Sequence, residues 1–233
     1  MKLVIVGIGG PSSSGKTTVC NGLRTILSHC TLIHLDEFYL PDSQIPVDPE
    51  TNFKNWDCPE SINWPKFFQY IEEIRRTSGN VLPVQSLKLE SNLKLTEEEL
   101  HEARTLLHTK LQSVANGHIV LIDGFMLYHD PKVYNLFDVK LFFRAPYEIL
   151  KERREARAGY ATEEGFWVDP PGYFDKIVWP QYVLTHKHLF EQEDVEGKHN
   201  KNSIENGLSD ICNDNTISIR SLILKTLEII NDS

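Results

Sequence analysis

Residues 10–17 read Gly-Pro-Ser-Ser-Ser-Gly-Lys-Thr and follow a short apolar run, residues 3–8, that is rich in β-branched side chains. Such a run is typical of a buried strand in a parallel sheet, and a helical pattern of apolar residues begins at about Lys16. A Gly-x4-Gly-Lys-Thr turn between a strand and a helix points its backbone N–H groups inward, toward phosphate oxygens. The pattern predicts a phosphate-binding loop. The alternative is an ordinary glycine turn capped by Thr17 or Thr18.

Strand-like and helix-like segments alternate along the rest of the chain. Further strands are predicted at residues 31–35, 118–122 and 139–143, and helices at residues 16–28, 64–76, 96–114 and 147–157, with an amphipathic helix near the C-terminus. This alternation predicts an α/β fold, a P-loop NTPase-type parallel sheet flanked by helices. Within a single domain spanning residues 1–233 we expect a mobile lid at 153–172, an insertion of unknown role at 77–116 and a mobile surface loop at 192–206.

Composition and charge restrict the partners of the chain. The formal net charge of its 233 residues is −9. Because proteins that bind nucleic acid need clustered positive charge, the sequence predicts no nucleic-acid partner. No segment approaches the roughly 18 consecutive apolar residues of a membrane span, so we expect no membrane partner and a cytosolic location, with nuclear entry and the oligomeric state left open. The guanine-reading Asn-Lys-x-Asp signature is missing, which disfavours a GTPase-type switch.

Polar residues at predicted strand ends suit the transfer of a phosphoryl group. Lys16 is expected to reach the β- and γ-phosphates of ATP, and the Thr17 hydroxyl to ligate Mg²⁺. Asp123 follows one predicted strand and is expected to hold the same ion, directly or through water. Asp36 follows another strand, where it can accept the proton of an attacking hydroxyl, an effect worth about 10²–10⁴-fold in rate, and can also meet the Mg²⁺ shell. For both aspartates the alternative is a structural turn residue.

Three longer stretches carry a family resemblance. They are Asp36-Glu-Phe-Tyr39, Asn55-Trp-Asp-Cys-Pro-Glu60 and Pro171-Gly-Tyr-Phe-Asp-Lys-Ile-Val-Trp-Pro180. Together they resemble the nicotinamide riboside kinases, relatives of uridine and pantothenate kinases within the nucleoside-kinase branch of the P-loop fold. The resemblance covers most of residues 1–60 and 117–190. Its third stretch is more specific than the phosphate loop, which all these relatives share.

The resemblance implies ATP:nicotinamide riboside 5′-phosphotransfer, which gives nicotinamide mononucleotide for NAD synthesis, with ATP as co-substrate and Mg²⁺ as cofactor. It assigns Asp36 as catalytic proton acceptor beside Lys16, Asp57 to the ribose hydroxyls, Trp56 to the base and Arg154 to the sugar side. The residues expected to contact the acceptor are Asp36, Glu37, Phe38, Tyr39, Trp56, Asp57 and Arg154. Those expected to bind ATP are Gly10, Ser12, Ser13, Ser14, Gly15, Lys16, Thr17, Thr18, Arg153 and Arg157. The expected metal ligands are Thr17, Asp36 and Asp123.

The physical chemistry of these residue types agrees with that assignment. A carboxylate can accept two hydrogen bonds from a cis-diol. An indole face attracts a cation, such as the pyridinium ring of nicotinamide riboside, by roughly 0.5–2 kcal/mol. Arginines in a closing lid can neutralise phosphate charge and exclude water.

Alternative interpretations stay open on the sequence alone. Trp56 can be a core residue while Asp57 caps a helix near Pro59, and the arginines of residues 151–157 can simply complement a helix dipole. Asp123 stands where the family often has glutamate, so a water-bridged metal contact is an alternative to direct coordination. Alternative functions are a uridine/cytidine kinase or a kinase of another small alcohol and, from a different class, a nucleotide-binding regulatory module without phosphotransfer.

Overall fold

The structure is a computed structural model that describes residues 2–81, 96–111, 117–162 and 165–232. Its strands are β1 (Leu3–Gly9), β2 (Cys30–His34), β3 (His118–Asp123), β4 (Val139–Arg144), β5 (Tyr160–Thr162), β6 (Gly165–Trp167) and β7 (Leu208–Cys212). Five of them form one sheet in the order β2-β3-β1-β4-β7, in which every neighbouring pair is parallel. β5 and β6 form a separate antiparallel hairpin.

Helices flank the sheet and confirm the predicted α/β class. They are α1 (Lys16–Ile26), α2 (Trp64–Arg76), α3 (Glu97–Lys110), α4 (Pro131–Tyr134), α5 (Tyr147–Glu155), α6 (Trp179–His186), α7 (Lys201–Glu205) and α8 (Ile219–Asn231). Local sequence sets their starts: the Asn63 side chain caps α2, and Thr96 with Glu99 forms a capping box on α3. None of the helices in the described ranges has the length and apolar character that crossing a bilayer requires.

Side chains from the two faces of the sheet form two separate cores. On one face, Ile5 of β1 and Phe142 of β4 pack in a cluster with Phe67 and Ile71 of α2. On the other face, alternate residues of the same strands pack with α1 and α8, among them Val6, Ile8, Leu141 and Phe143 with Val19, Leu23, Leu222 and Leu227. Burial on both faces explains why these strands read as continuous apolar runs.

Tyr128 links β1 to β4 from one face of the sheet. Its buried hydroxyl donates to the Gly7 carbonyl oxygen at 2.7 Å and accepts a hydrogen bond from the Leu141 backbone N–H at 3.0 Å. Its ring lies so close to Gly9 that a Cβ atom at this position would be 2.3 Å from ring carbon Cε2. Glycine at position 9 is therefore required by packing, directly before the phosphate loop.

The prediction that residues 192–206 form a mobile surface loop is wrong. The segment contains α7, which Asn200 caps by accepting a hydrogen bond from the Ser203 backbone N–H at 2.9 Å. His199 is only 4% exposed, and its ring stacks on Phe190 with the centroids 4.3 Å apart. The polar composition concealed this anchoring, because two of the buried residues, His199 and Ser203, are polar.

The expected insertion at residues 77–116 lies partly outside the described residues, since 82–95 and 112–116 are not among them. The helix predicted at 96–114 corresponds to α3, whose Ala103 and Leu107 belong to the core shared by α1 and α8. This part of the segment therefore contributes to the core. The interpretation of the whole as an insertion stays a prediction.

We predict that Tyr128→Phe lowers the free energy of unfolding by about 1–3 kcal/mol, because the buried Leu141 N–H loses its acceptor. Urea unfolding measures the change. The control is Tyr134→Phe, whose hydroxyl bonds at the surface to the Asn206 carbonyl oxygen and whose loss should cost less than about 0.5 kcal/mol. Equal stability of Tyr128→Phe and the wild-type chain would contradict a stabilising role for the hydroxyl.

Candidate active site

The loop between β1 and α1 has the backbone shape of an anion site. Gly10 has φ +124°, and a Cβ atom there would lie 1.9 Å from the Phe143 carbonyl oxygen. Gly15, at φ +95°, precedes α1 and provides no side-chain cap. The Ser13 hydroxyl is buried and has no hydrogen-bond partner among the described atoms. An uncapped helix N-terminus beside an unsatisfied hydroxyl fits a phosphate group.

Lys16 lies along this loop and is only 6% exposed. Its Nζ donates to the Pro11 carbonyl oxygen at 2.7 Å and lies 3.4 Å from the Ser14 hydroxyl. Lys16 also lines a cavity of about 590 Å³, together with Ser12, Ser13 and Thr17. Lys16 thus places a positive charge at the cavity wall, where it can attract the phosphate groups of a nucleotide.

Thr17 and Asp123, two of the three residues expected to hold a metal ion, are in direct contact. The Thr17 hydroxyl donates to Asp123 Oδ2 at 2.5 Å, and His34 Nδ1 lies 3.0 Å from the same oxygen. Such oxygen ligands suit Mg²⁺. In the described part of the chain no group of three or more His, Cys, Asp or Glu side chains could hold a metal. An ion here would therefore complete its shell with phosphate oxygens and water, as Mg²⁺ does in nucleotide sites.

The 3₁₀ turn Leu35–Phe38 after β2 divides the predicted acceptor residues between the cavity and the core. Asp36, Glu37 and Tyr39 line the cavity. Phe38 is instead fully buried, with its ring centroid 5.2 Å from that of Phe67. The structure thus corrects the predicted acceptor contact at Phe38. With three residues per 3₁₀ turn, Asp36 and Tyr39 share one side and Phe38 points elsewhere.

Trp56 and Asp57 both line the cavity. Tyr173, from the third stretch of the resemblance, holds their loop: its hydroxyl accepts a hydrogen bond from the Trp56 backbone N–H at 3.1 Å and donates to the Lys54 carbonyl oxygen at 2.9 Å. The turn that follows has Cys58 at its N-cap, without a side-chain cap, so Asp57 does not serve as one. Trp56 is 6% exposed and is at once a core residue and a cavity wall.

Arg154 is 6% exposed and lies between two carboxylates. Its Nε donates to Asp169 at 2.6 Å, and its terminal nitrogens lie 3.4 Å from the Asp57 oxygens and 2.8 Å from the Ser12 hydroxyl. Burial raises the pKa of Asp57, and Arg154 opposes that rise. Burial acts to lower the pKa of Arg154, but Asp57, Tyr160 and Asp169 together hold this pKa well above its usual value. Arg154 thus stays cationic and ties the phosphate loop to Asp57.

The segment expected to form a lid, residues 153–172, contains the antiparallel β5–β6 hairpin. Three aromatic residues of the hairpin line the cavity: Tyr160, Phe166 and Trp167. The Trp167 ring centroid lies 5.9 Å from that of Trp56, and Phe125 after β3 adds a further ring. Sequence reasoning assigned none of these residues to the site. The adjacent aromatic pair in Gly165-Phe-Trp167 was the available signal, but strands of three residues are too short for alternation to show.

The other residues expected to bind ATP surround the loop. Arg157 is exposed and lines the cavity. Arg153 lies outside the cavity wall, where it donates to the carbonyl oxygens of Ser13 at 3.3 Å and Asn213 at 3.1 Å. Gly10, Ser14, Gly15 and Thr18 belong to the loop and the first turn of α1 rather than to the cavity wall.

Comparison with known proteins identifies the family. A profile of the phosphoribulokinase/uridine kinase family matches residues 5–158. The nicotinamide riboside kinase of Schizosaccharomyces pombe is 41% identical over 84% of this chain and 85% of its own length. Those of Eremothecium gossypii and Saccharomyces cerevisiae are 41% and 38% identical over 84% of this chain, and over 80% and 82% of their own lengths. The chain belongs to the nicotinamide riboside kinases.

Membership of the nicotinamide riboside kinases confirms the resemblance inferred from the three sequence stretches. It also makes the chain an ATP-dependent phosphotransferase of the P-loop type, a class whose nucleotide is bound with a divalent metal. The cavity lined by Lys16, Thr17, Asp36 and Asp57 is the candidate active site of this kinase.

We predict that Arg154→Gln lowers the free energy of unfolding at pH 7.5 by about 3–5 kcal/mol, because it leaves Asp57 buried without its cation. Burial already raises the pKa of Asp57, and the substitution removes the group that opposes this rise. An acid whose pKa is higher in the folded than in the unfolded chain destabilises the folded state when ionised, and this cost vanishes on protonation. The deficit should therefore shrink as the pH falls from 7.5 to 5, as measured by urea unfolding.

The matched control is Arg157→Gln, which removes an exposed guanidinium from the same segment. Its effect should stay below about 1 kcal/mol and show no such trend with pH. A deficit for Arg154→Gln that is equally large at both pH values would show that buried carboxylate charge is not its cause.

Proposed function

We propose that this kinase transfers the γ-phosphate of ATP to the 5′-hydroxyl of nicotinamide riboside, forming nicotinamide mononucleotide for NAD synthesis, with Mg²⁺ as its metal. One observation carries the proposal: a single cavity is lined both by Lys16 and Thr17 of the phosphate loop and by Asp36, Trp56 and Asp57 on the acceptor side. Relatives named nicotinamide riboside kinase, at up to 41% identity, support it.

The phosphate loop and Lys16 bind the β- and γ-phosphates in this mechanism, and Thr17 and Asp123 would hold the metal ion. A bound Mg²⁺ would supply charge neutralisation between these phosphates. Asp36 accepts the proton of the 5′-hydroxyl as its oxygen attacks the γ-phosphorus. The new O–P bond forms while the bond from the γ-phosphorus to the β–γ bridging oxygen breaks, and ADP leaves with that oxygen.

The acceptor side suits a cationic riboside. The Asp57 carboxylate can accept both hydrogen bonds of the ribose cis-diol, and the neighbouring Arg154 can donate to the same hydroxyls. The faces of Trp56 and Trp167 attract a pyridinium ring more strongly than an uncharged uracil. Asp36, Asp57 and other carboxylates line the same cavity, namely Glu37, Asp42 and Asp123, and their negative field also favours a cation.

The predicted lid at residues 153–172 supplies Arg154, Arg157 and the β5–β6 hairpin to the cavity wall. In this proposal the hairpin covers the acceptor during transfer and excludes water, which would otherwise hydrolyse ATP. Arg157, the exposed cation of the segment, contributes positive charge to the phosphates at that stage.

We predict that Asp36→Asn lowers kcat for nicotinamide riboside by about 10²–10⁴-fold, because the amide cannot take the hydroxyl proton. The affinity for Mg²⁺-ATP should change far less than kcat, since the phosphate loop is intact. Release of ADP measures turnover, and titration with a non-hydrolysable ATP analogue measures affinity. Normal turnover in this variant would remove Asp36 from the role of base.

Glu60→Gln is the control, because Glu60 is an exposed carboxylate that does not line the cavity. The same assay with uridine, cytidine and pantothenate tests the acceptor class. Preference for one of these over nicotinamide riboside would assign the chain another acceptor. No ADP release with any acceptor, despite nucleotide binding, would favour a regulatory module.

We predict that Trp56→Leu raises KM for nicotinamide riboside about tenfold, which corresponds to loss of ~1.4 kcal/mol of cation–π attraction. KM for uncharged uridine should rise less, because uracil lacks the positive charge. Trp64→Leu is the matched control, since Trp64 packs against Phe67 and His129 outside the cavity wall. An unchanged KM in Trp56→Leu would restrict Trp56 to a packing role.

A further inference from the structure

We propose that His34 is a positioning residue, which holds the Asp123 carboxylate in the orientation needed to bind the metal of the metal–nucleotide complex. This inference rests on the proposed function, because it assumes that Thr17 and Asp123 serve a divalent ion. Neither the sequence patterns nor the family resemblance points to His34.

The strand register brings the two residues together. His34 is the last residue of β2 and Asp123 the last of β3, and the two are partners in the parallel ladder. Both are buried, with 7% of His34 and 1% of Asp123 exposed. His34 Nδ1 lies 3.0 Å from Asp123 Oδ2, which is a hydrogen-bonding distance. The contact thus joins two buried strand ends that are paired within the sheet.

The chemistry of the two groups fixes the direction of the hydrogen bond. An ionised carboxylate only accepts hydrogen bonds, so the proton must lie on His34 Nδ1, in either the neutral or the cationic ring. Among the hydrogen bonds that Asp123 Oδ2 then accepts are one from this nitrogen and one from the Thr17 hydroxyl at 2.5 Å. The donors come from different elements, β2 and the start of α1.

The hydrogen bond from His34 matters because the other donor, the Thr17 hydroxyl, is itself a candidate metal ligand. If the Thr17 oxygen coordinates an ion, the position of Thr17 follows the ion and the nucleotide, whereas His34 stays fixed to the sheet. An imidazole N–H that anchors the carboxylate keeps its oxygens aimed at the site before the ion arrives. Groups that orient metal-binding side chains in this way typically change metal affinity or activity by about 10–100-fold when mutated.

The test compares two substitutions of His34. Asn carries a side-chain N–H₂ close to the place of Nδ1 and can keep the hydrogen bond, whereas Leu has a similar size without a donor. Electron paramagnetic resonance of free Mn²⁺ gives the affinity of the ion for the complex of protein and a non-hydrolysable ATP analogue. Calorimetry without metal gives the affinity of the analogue alone.

We expect His34→Leu to weaken Mn²⁺ binding by about 10–100-fold, with metal-free binding of the analogue unchanged. His34→Asn should stay close to the wild-type chain in both measurements. The Mg²⁺ concentration for half-maximal ADP release should rise in the Leu variant alone.

Equal Mn²⁺ affinity in the Leu variant and the wild-type chain would overturn the inference. So would a loss that is equally large with and without metal, which would give His34 a purely structural role. If His34→Leu does not fold, His34→Gln replaces it, because its donor lies one bond further out; equal Mn²⁺ affinity of the Asn and Gln variants would then overturn the inference. Failure of the wild-type chain to bind Mn²⁺ with the analogue would instead refute the proposed function, and this inference with it.

Discussion

Parallel pairing of β1 with β3, and of β3 with β2, is the constraint on which the site depends. It brings the phosphate loop after β1, Asp36 after β2 and Asp123 at the end of β3 to one edge of the sheet. Ligands of such sheets bind beyond the carboxyl ends of the strands. Apolar burial on both faces holds this register, because a slip by one residue would turn every side chain to the opposite core. The alignment of the reacting groups is therefore stabilised by contacts far from the chemistry.

Charge is the second constraint, because the site buries cations in a chain whose net charge is −9. Lys16 and Arg154 are each 6% exposed, and an uncompensated buried charge is expensive. Arg154 is balanced within the protein by Asp57 and Asp169. Lys16 is held by a carbonyl oxygen of its own loop. The cavity thus presents a cation at its phosphate end and carboxylates at its acceptor end, and ATP with a pyridinium riboside would complement both.

The sheet and the phosphate loop could be predicted because they rest on local patterns: β-branched runs and glycine spacing. The burial of Phe38 in the core could not be predicted. A strand followed by the acidic residues Asp36 and Glu37 does not specify whether the next side chain faces the cavity or the core. The partners of Arg154 were equally inaccessible, because Asp57 lies 97 residues away along the chain. The contact between His34 and Asp123 depends on pairing register, which periodicity alone does not give.

The third stretch of the resemblance gains a physical explanation from Tyr173. Its hydroxyl forms hydrogen bonds with the loop that carries Trp56. The short π-helix Phe174–Val178 follows Tyr173 and leads into α6. A few residues earlier, Asp169 holds Arg154. The segment thus connects the hairpin wall to the acceptor loop through hydrogen bonds of Tyr173 and Asp169. The phosphate loop is common to many kinases, whereas this connection positions the aromatic walls of the cavity, Trp56 and Trp167, beside each other.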